Sequence, residues 1–226
     1  MHVPILHRIV HGWRYRGWPT SPTALRCMQS SYAQFGEDIV LHGLLGNRLD
    51  RGFYVDVGCF HPIRLSNTYR FYLRQWSGIC IDPNPDPHLA REWKRHRPRD
   101  RFLNVAVGEQ TGTVLYKIDS GKPQENRILD SPEKGSANVV EVPSMRLDQI
   151  LSEHLPEGTK FDLLSVDCEG HDLAVLRSND FSKFRPTCLV VESHGSPEAD
   201  PLMSFVDGLG YRLAGLCGYS RIYQLK

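Results

Sequence analysis

Phe53-Tyr-Val-Asp-Val-Gly-Cys-Phe-His-Pro62 is the stretch on which the fold turns. Its first five residues form a near-continuous apolar run closed by Gly58, the pattern of a strand buried on both faces. The same pattern returns in Gly78-Ile-Cys-Ile-Asp82, Phe102-Leu-Asn-Val-Ala-Val107, Phe161-Asp-Leu-Leu-Ser-Val-Asp167 and Thr187-Cys-Leu-Val-Val-Glu192. Helical segments separate these strands. Ser66 or Asn67 can cap a helix through Tyr69, Phe71, Tyr72, Leu73 and Trp76, which Gly78 ends. Further helices are expected around Ile39 to Leu45, from Pro87 to His96, and at 148–154, 172–176 and 201–209. Strands alternating with helices predict an α/β fold with a parallel sheet covered on both faces. Short strands are expected at 113–118 and 138–142. The stretch from Asp119 to Ala137 between them is rich in Gly, Pro, Ser and charge, and reads as a long loop, mobile or functional. Tyr211 to Leu216 and Arg221 to Leu225 flank Cys217-Gly-Tyr-Ser220 as a closing hairpin.

The 226 residues carry 27 Lys and Arg against 26 Asp and Glu, with no overall basic excess of the kind nucleic-acid binders show. Residues 1–36 hold four arginines and no acid, so the rest is slightly acidic. The reading is therefore a basic, aromatic arm over residues 1–30, with Trp13, Tyr15 and Trp18, followed by one domain over 31–226. The arm could strap the domain or make peripheral contact with a membrane surface. No apolar run is long enough to span a bilayer. Six cysteines are scattered singly, as free thiols of a reducing compartment would be, so a cytoplasmic location is expected.

In an open α/β sheet, ligands bind beyond the carboxyl ends of the strands. Acids end four of the five candidate parallel strands: Asp56 beside Gly58, Asp82, Asp167 with Glu169, and Glu192 followed by His194. The loop after the first strand has one glycine, then Phe60 and Pro62, and lacks the close donors a pyrophosphate needs. A nucleoside ligand without phosphate fits better. Asp56 can face an ammonium group, Gly58 permits close approach, and Asp82 can accept from both ribose hydroxyls. S-adenosylmethionine has these features.

A set of ordered segments then resembles the FkbM family of S-adenosylmethionine-dependent methyltransferases. They are Ser31-Tyr-Ala-Gln-Phe-Gly-Glu-Asp38, Tyr54 to Pro62, Ser66-Asn-Thr-Tyr69, Trp76 to Pro85, Asn104-Val-Ala-Val107 and Leu164 to Leu176. The resemblance implies the Rossmann-like class I methyltransferase fold, a seven-stranded sheet of order 3-2-1-4-5-7-6 with the last strand antiparallel. It also implies that Asp56 and Gly58 belong to the cofactor loop, Asp82 to the ribose and Ala106 to the adenine, with Asp167 near the methionine end. Ser66, Asn67 and Thr68 would face the cofactor carboxylate, and His61 is a further candidate of that loop. Cys59 and Phe60 depart from the small residue and glycine common at those places.

Methyl transfer to an alcohol needs positioning and a base. Asp167, Glu169 and His194 are the catalytic candidates. With Glu192 they could also gather a Mg2+ ion that lowers the acceptor's pKa. The family resemblance suggests an O-methyltransferase of a sugar hydroxyl, a deoxyhexose of a glycan, glycolipid or secreted oligosaccharide. A polyketide-type alcohol and a non-catalytic cofactor-binding protein are the alternatives. A nucleic-acid substrate, which the basic run Lys94, Arg95, Arg97, Arg99 and Arg101 would help, is not expected.

Overall fold

The computed structural model describes residues 21–46, 50–119, 121–129, 131, 138–193, 195 and 200–226. The chain divides into two units, Met1–Ser30 and Ser31–Lys226. In the first, Pro22–Arg26 form one helical turn, α1.

The second unit opens with α2 (Glu37–Leu45), whose two leading acids are buried and bonded rather than solvated. β1 (Phe53–Val57) follows and pairs in parallel with β2 (Ser77–Ile81) on one side and β8 (Leu163–Val166) on the other. β3 (Arg101–Leu103) extends the β2 side. β9 (Cys188–Glu192), then β11 (Ser220–Leu225) and β10 (Tyr211–Cys217) extend the β8 side. β11 runs antiparallel to both its neighbours. The sheet order is therefore β10-β11-β9-β8-β1-β2-β3, and it reverses direction between β1 and β8.

Alternation along each strand divides the core. Val55, Val57, Ile79, Ile81, Leu164 and Val166 face α5 (Leu147–His154), α6 (Asp172–Arg177) and α7 (Pro201–Gly208). Tyr54, Cys80, Leu163 and Cys188 face α2, α3 (Tyr69–Tyr72) and α4 (Pro87–His96). A period of two on a strand buried on both sides produces this division. Two helices start on the expected chemistry. Asp86 accepts from the His88 N–H at 2.8 Å before Pro87, and Asp200 accepts from the Leu202 N–H at 2.9 Å before Pro201.

The expected strand order needs correction when strands are counted along the whole chain. After β3 the chain leaves the sheet and builds a second one, β4 (Ala106–Val107), β5 (Gly112–Lys117), β6 (Arg127–Leu129) and β7 (Val139–Met145), ordered β4-β7-β5-β6. The apolar run 102–107 is thus two short strands in two sheets, because the Asn104 side chain turns the chain there. It donates to the Asp82 carbonyl at 2.8 Å and the Asn84 carbonyl at 2.7 Å. Within the expected loop 119–137 lie β6 and a 3-10 turn at Pro123–Glu125. The helix expected to run to Trp76 is a single turn, since Gln75 sits at φ 70° and breaks it.

Candidate active site

Two adjoining cavities open at the carboxyl ends of β1, β2 and β8, where the sheet order reverses. The first has apolar walls from Val57, Ile81, Val105 and Val107, with Asp82, Asn84, Tyr116, Asn126 and Arg127 among its polar groups. The second is rimmed by Gln34, Leu65, Gln124, Glu125, Glu192 and Tyr219. Gly58, Phe60, Gln124, Asp167 and Glu169 belong to both.

Asp82 ends β2 inside the first cavity. The Phe60 N–H donates to its Oδ2 at 2.8 Å and the Asn84 N–H to its Oδ1 at 2.9 Å, which fixes the carboxylate and leaves each oxygen a further lone pair. Burial raises its pKa to about 6, against the pull of those two donors.

Gly58 sits at φ 76°, and a Cβ placed there would lie 1.8 Å from the Asp167 carbonyl oxygen. The glycine is therefore demanded by the neighbouring strand end, whereas the sequence suggested ligand approach alone. Phe60, Leu65 and Glu169, at φ 45°, 53° and 50°, are non-glycine residues in the left-handed region, and all three line the second cavity. Backbone strain gathered at one wall is typical of a functional site.

Asp167, Glu169 and Glu192 bring carboxylate oxygens within 4.8 Å of one another. Burial, and then the charges of Glu192, Asp172 and Glu169, hold the Asp167 carboxyl well above the usual carboxylate range. A hydrogen bond to Glu192 raises it further. Such a trio can also supply three oxygens to a divalent cation. His194, the nitrogen ligand and base expected beside it, lies outside the described residues. Three carboxylates alone do not select Mg2+ over other hard cations.

Several expected cofactor residues stand elsewhere. Asp56 lines neither cavity and is 4% exposed. Thr68 Oγ1 donates to its Oδ2 at 2.5 Å, and Ser165 and Arg97 also act on it, so it cannot meet an ammonium group. Burial nonetheless pushes its pKa up. Ser66 Oγ accepts the Tyr69 N–H at 3.1 Å, and Asn67 Nδ2 donates to Ser165 Oγ at 3.2 Å. Arg97 binds Ser66 Oγ, Thr68 Oγ1 and the Pro62 carbonyl, and pairs with Asp100 at 2.6 Å. These residues brace the loop after β1 from below. His61 caps the same loop, its Nδ1 accepting from the Ile63 and Arg64 N–H groups. Ala106 packs under Tyr116 and Val142 in the second sheet, while its neighbours Val105 and Val107 face the cavity.

The Ser31–Asp38 segment also acquires a role. Asp38 accepts from Ser31 Oγ at 2.6 Å and the Tyr32 N–H at 2.9 Å, and Glu37 from the Phe35 N–H at 2.8 Å and Ser220 Oγ at 3.0 Å. These bonds seat Gln34 and, through a Phe35–Tyr219 edge contact at 5.9 Å, Tyr219 on the second cavity. Tyr116 and Gln124 carry no signal in the sequence as site residues, because they come from the inserted sheet and its turn. Cys168 lines the first cavity, and burial holds its thiol well above its ordinary range, so it is no ready nucleophile.

No curated protein matches the chain. The family model described as the methyltransferase FkbM domain matches residues 56–213, more than half of the sequence and all of the strand ends that form the two cavities. The chain belongs to the FkbM methyltransferase domain family.

Proposed function

We propose that this methyltransferase transfers the methyl group of S-adenosylmethionine to a sugar hydroxyl, with the cofactor in the first cavity and the acceptor in the second. The observation that carries the reading is the pairing of a cavity that sets the anchored Asp82 among Val57, Ile81, Val105 and Val107 with a polar, carboxylate-lined cavity, across a wall that includes Asp167 and Glu169.

The first cavity suits a nucleoside. Asp82 would accept from the ribose hydroxyls, and Val105 and Val107 would flank the adenine. When bound, S-adenosylmethionine supplies a methyl group on a sulfonium, whose C–S bond breaks to leave a neutral thioether as an O–C bond forms. What the chain adds is orientation and a place for the hydroxyl proton. Asp167 and Glu169 stand at the shared wall, with Glu192 beside them in the second cavity, and these carboxyls can take it. Carboxylates and amides bind hydroxyls well, and Tyr219 and Phe60 offer aromatic faces to the C–H side of a sugar ring.

Mass spectrometry of glycans from cells with and without the protein tests the acceptor. One sugar should lose the mass of a single CH2 unit when the protein is absent. A change confined to polyketide-type alcohols, or no change in any methylated product, would overturn the sugar reading. Turnover that survives EDTA assigns the base to carboxylates alone. Turnover lost to EDTA and restored by Mg2+ places a cation among Asp167, Glu169 and Glu192.

A further inference from the structure

Methyl transfer between the two cavities must cross the ground enclosed by the five residues they share. Gly58 and Phe60 follow β1, and Asp167 and Glu169 follow β8. Gln124 alone comes from the inserted sheet, on the 3-10 turn Pro123–Glu125 between β5 and β6.

That turn is shaped by its own polar groups. Asp119 Oδ1 accepts from the Gly121 N–H at 2.8 Å and the Lys122 N–H at 3.0 Å. Asn126 Oδ1 accepts from the Asp119 N–H at 2.7 Å, and Lys122 pairs with Glu125 at 2.7 Å. The segment thus holds its form by local bonds and presents an exposed Gln124 at the cavity junction.

Of the five shared residues, three have side chains able to hydrogen-bond, and two of those are carboxyls. An ionised carboxylate only accepts, whereas a carboxamide both donates and accepts. An acceptor hydroxyl that gives its proton to one of the carboxyls leaves its neighbouring hydroxyl to the third polar side chain of the shared set, Gln124. A single amide can serve it, with N–H donating to one oxygen and C=O accepting from the adjacent O–H. Resting on the acceptor site proposed above, we infer that Gln124 orients the acceptor. It recognises a vicinal diol and so selects which of two neighbouring hydroxyls faces the cofactor cavity.

The test uses the full chain with Gln124→Ala and Gln124→Glu. Three quantities are read: acceptor KM, the position of the methyl group in the product, and affinity for S-adenosylhomocysteine by calorimetry. The expected result is an acceptor KM raised about tenfold, the loss of one bidentate contact. Methylation should spread over both hydroxyls of the diol, while S-adenosylhomocysteine affinity stays within about threefold. An active wild type whose variants keep its KM and its product position overturns this inference alone. So do variants whose loss lies only in S-adenosylhomocysteine affinity, since Gln124 would then serve the cofactor. A wild type inactive on every sugar overturns the acceptor reading and this inference with it.

Discussion

Asp82 and Asp167 are both strand-end acids, yet under the proposed function they take opposite tasks. Asp82 is held by two backbone N–H groups and must be ionised to accept from two hydroxyls. Burial puts its pKa at about 6. Affinity for S-adenosylhomocysteine should therefore be flat above that pH and fall about tenfold per unit below it, as the carboxylate takes up a proton. Asp82→Ala should weaken binding roughly 10- to 100-fold at pH 7.5 and abolish the pH dependence, both measurable by calorimetry. Burial, and after it the charge of Glu192, holds the Asp167 carboxyl above its usual range. A base works only when deprotonated, so activity should fall on the acid side of that raised value. Glu192→Gln removes the repelling charge, and the acid limb of kcat/KM should move to lower pH. A limb that stays in place would remove the pair from the mechanism. Asp56 shows where strand-end reading falters. The sequence reading has it face an ammonium group in the cofactor loop, but period two points it to the Thr68–Arg97 side of the sheet, away from the cavities.

Among the elements, the loop from β1 to α3 matters most. It passes under the first cavity and is fixed from both sides, by Gly58 against the Asp167 carbonyl and by Arg97 beneath Pro62, Ser66 and Thr68. Gly58→Ala should cost roughly 2–5 kcal/mol in urea unfolding, the sum of a left-handed conformation and a clash that only backbone movement relieves. An unchanged midpoint would mean the strand ends are looser than they stand. The basic run after α4 also reads differently once folded. Arg97 is buried against Tyr54, Tyr72 and Trp93, with ring centroids at 5.1, 5.4 and 4.7 Å, and Arg99 lies over Tyr72 at 3.9 Å. Of the five cations that would help nucleic-acid binding, Arg97 is thus committed inside the fold, and the exposed Arg99 is tied to Tyr72. The parallel strands were legible because burial on both faces writes itself as an apolar run. The second sheet was only partly so. β5 and β7 showed as short runs, but Arg127–Leu129 has no period, and β6 exists because β5 offers it an edge.

Over the whole molecule, the slight excess of acid outside the arm has a location. Asp82, Glu125, Asp167, Glu169 and Glu192 all line the two cavities. Their position at the reversal of the main sheet follows from topology, of which the α/β class with its parallel strands was legible in the apolar runs and the strand order was not. The division into two cavities was not readable, since it depends on the inserted sheet closing one side with Tyr116 and Gln124. Among the described residues, no helix is long and apolar enough to cross a membrane. The central claim is methyl transfer from one cavity to the other. It is tested most directly by incubating the purified chain with S-adenosylmethionine labelled in the methyl group and a panel of free sugars and oligosaccharides, then locating the label by mass spectrometry. The account predicts label on one sugar hydroxyl oxygen, lost in Asp82→Ala. Label on no sugar, from a chain that still binds S-adenosylhomocysteine, would contradict it.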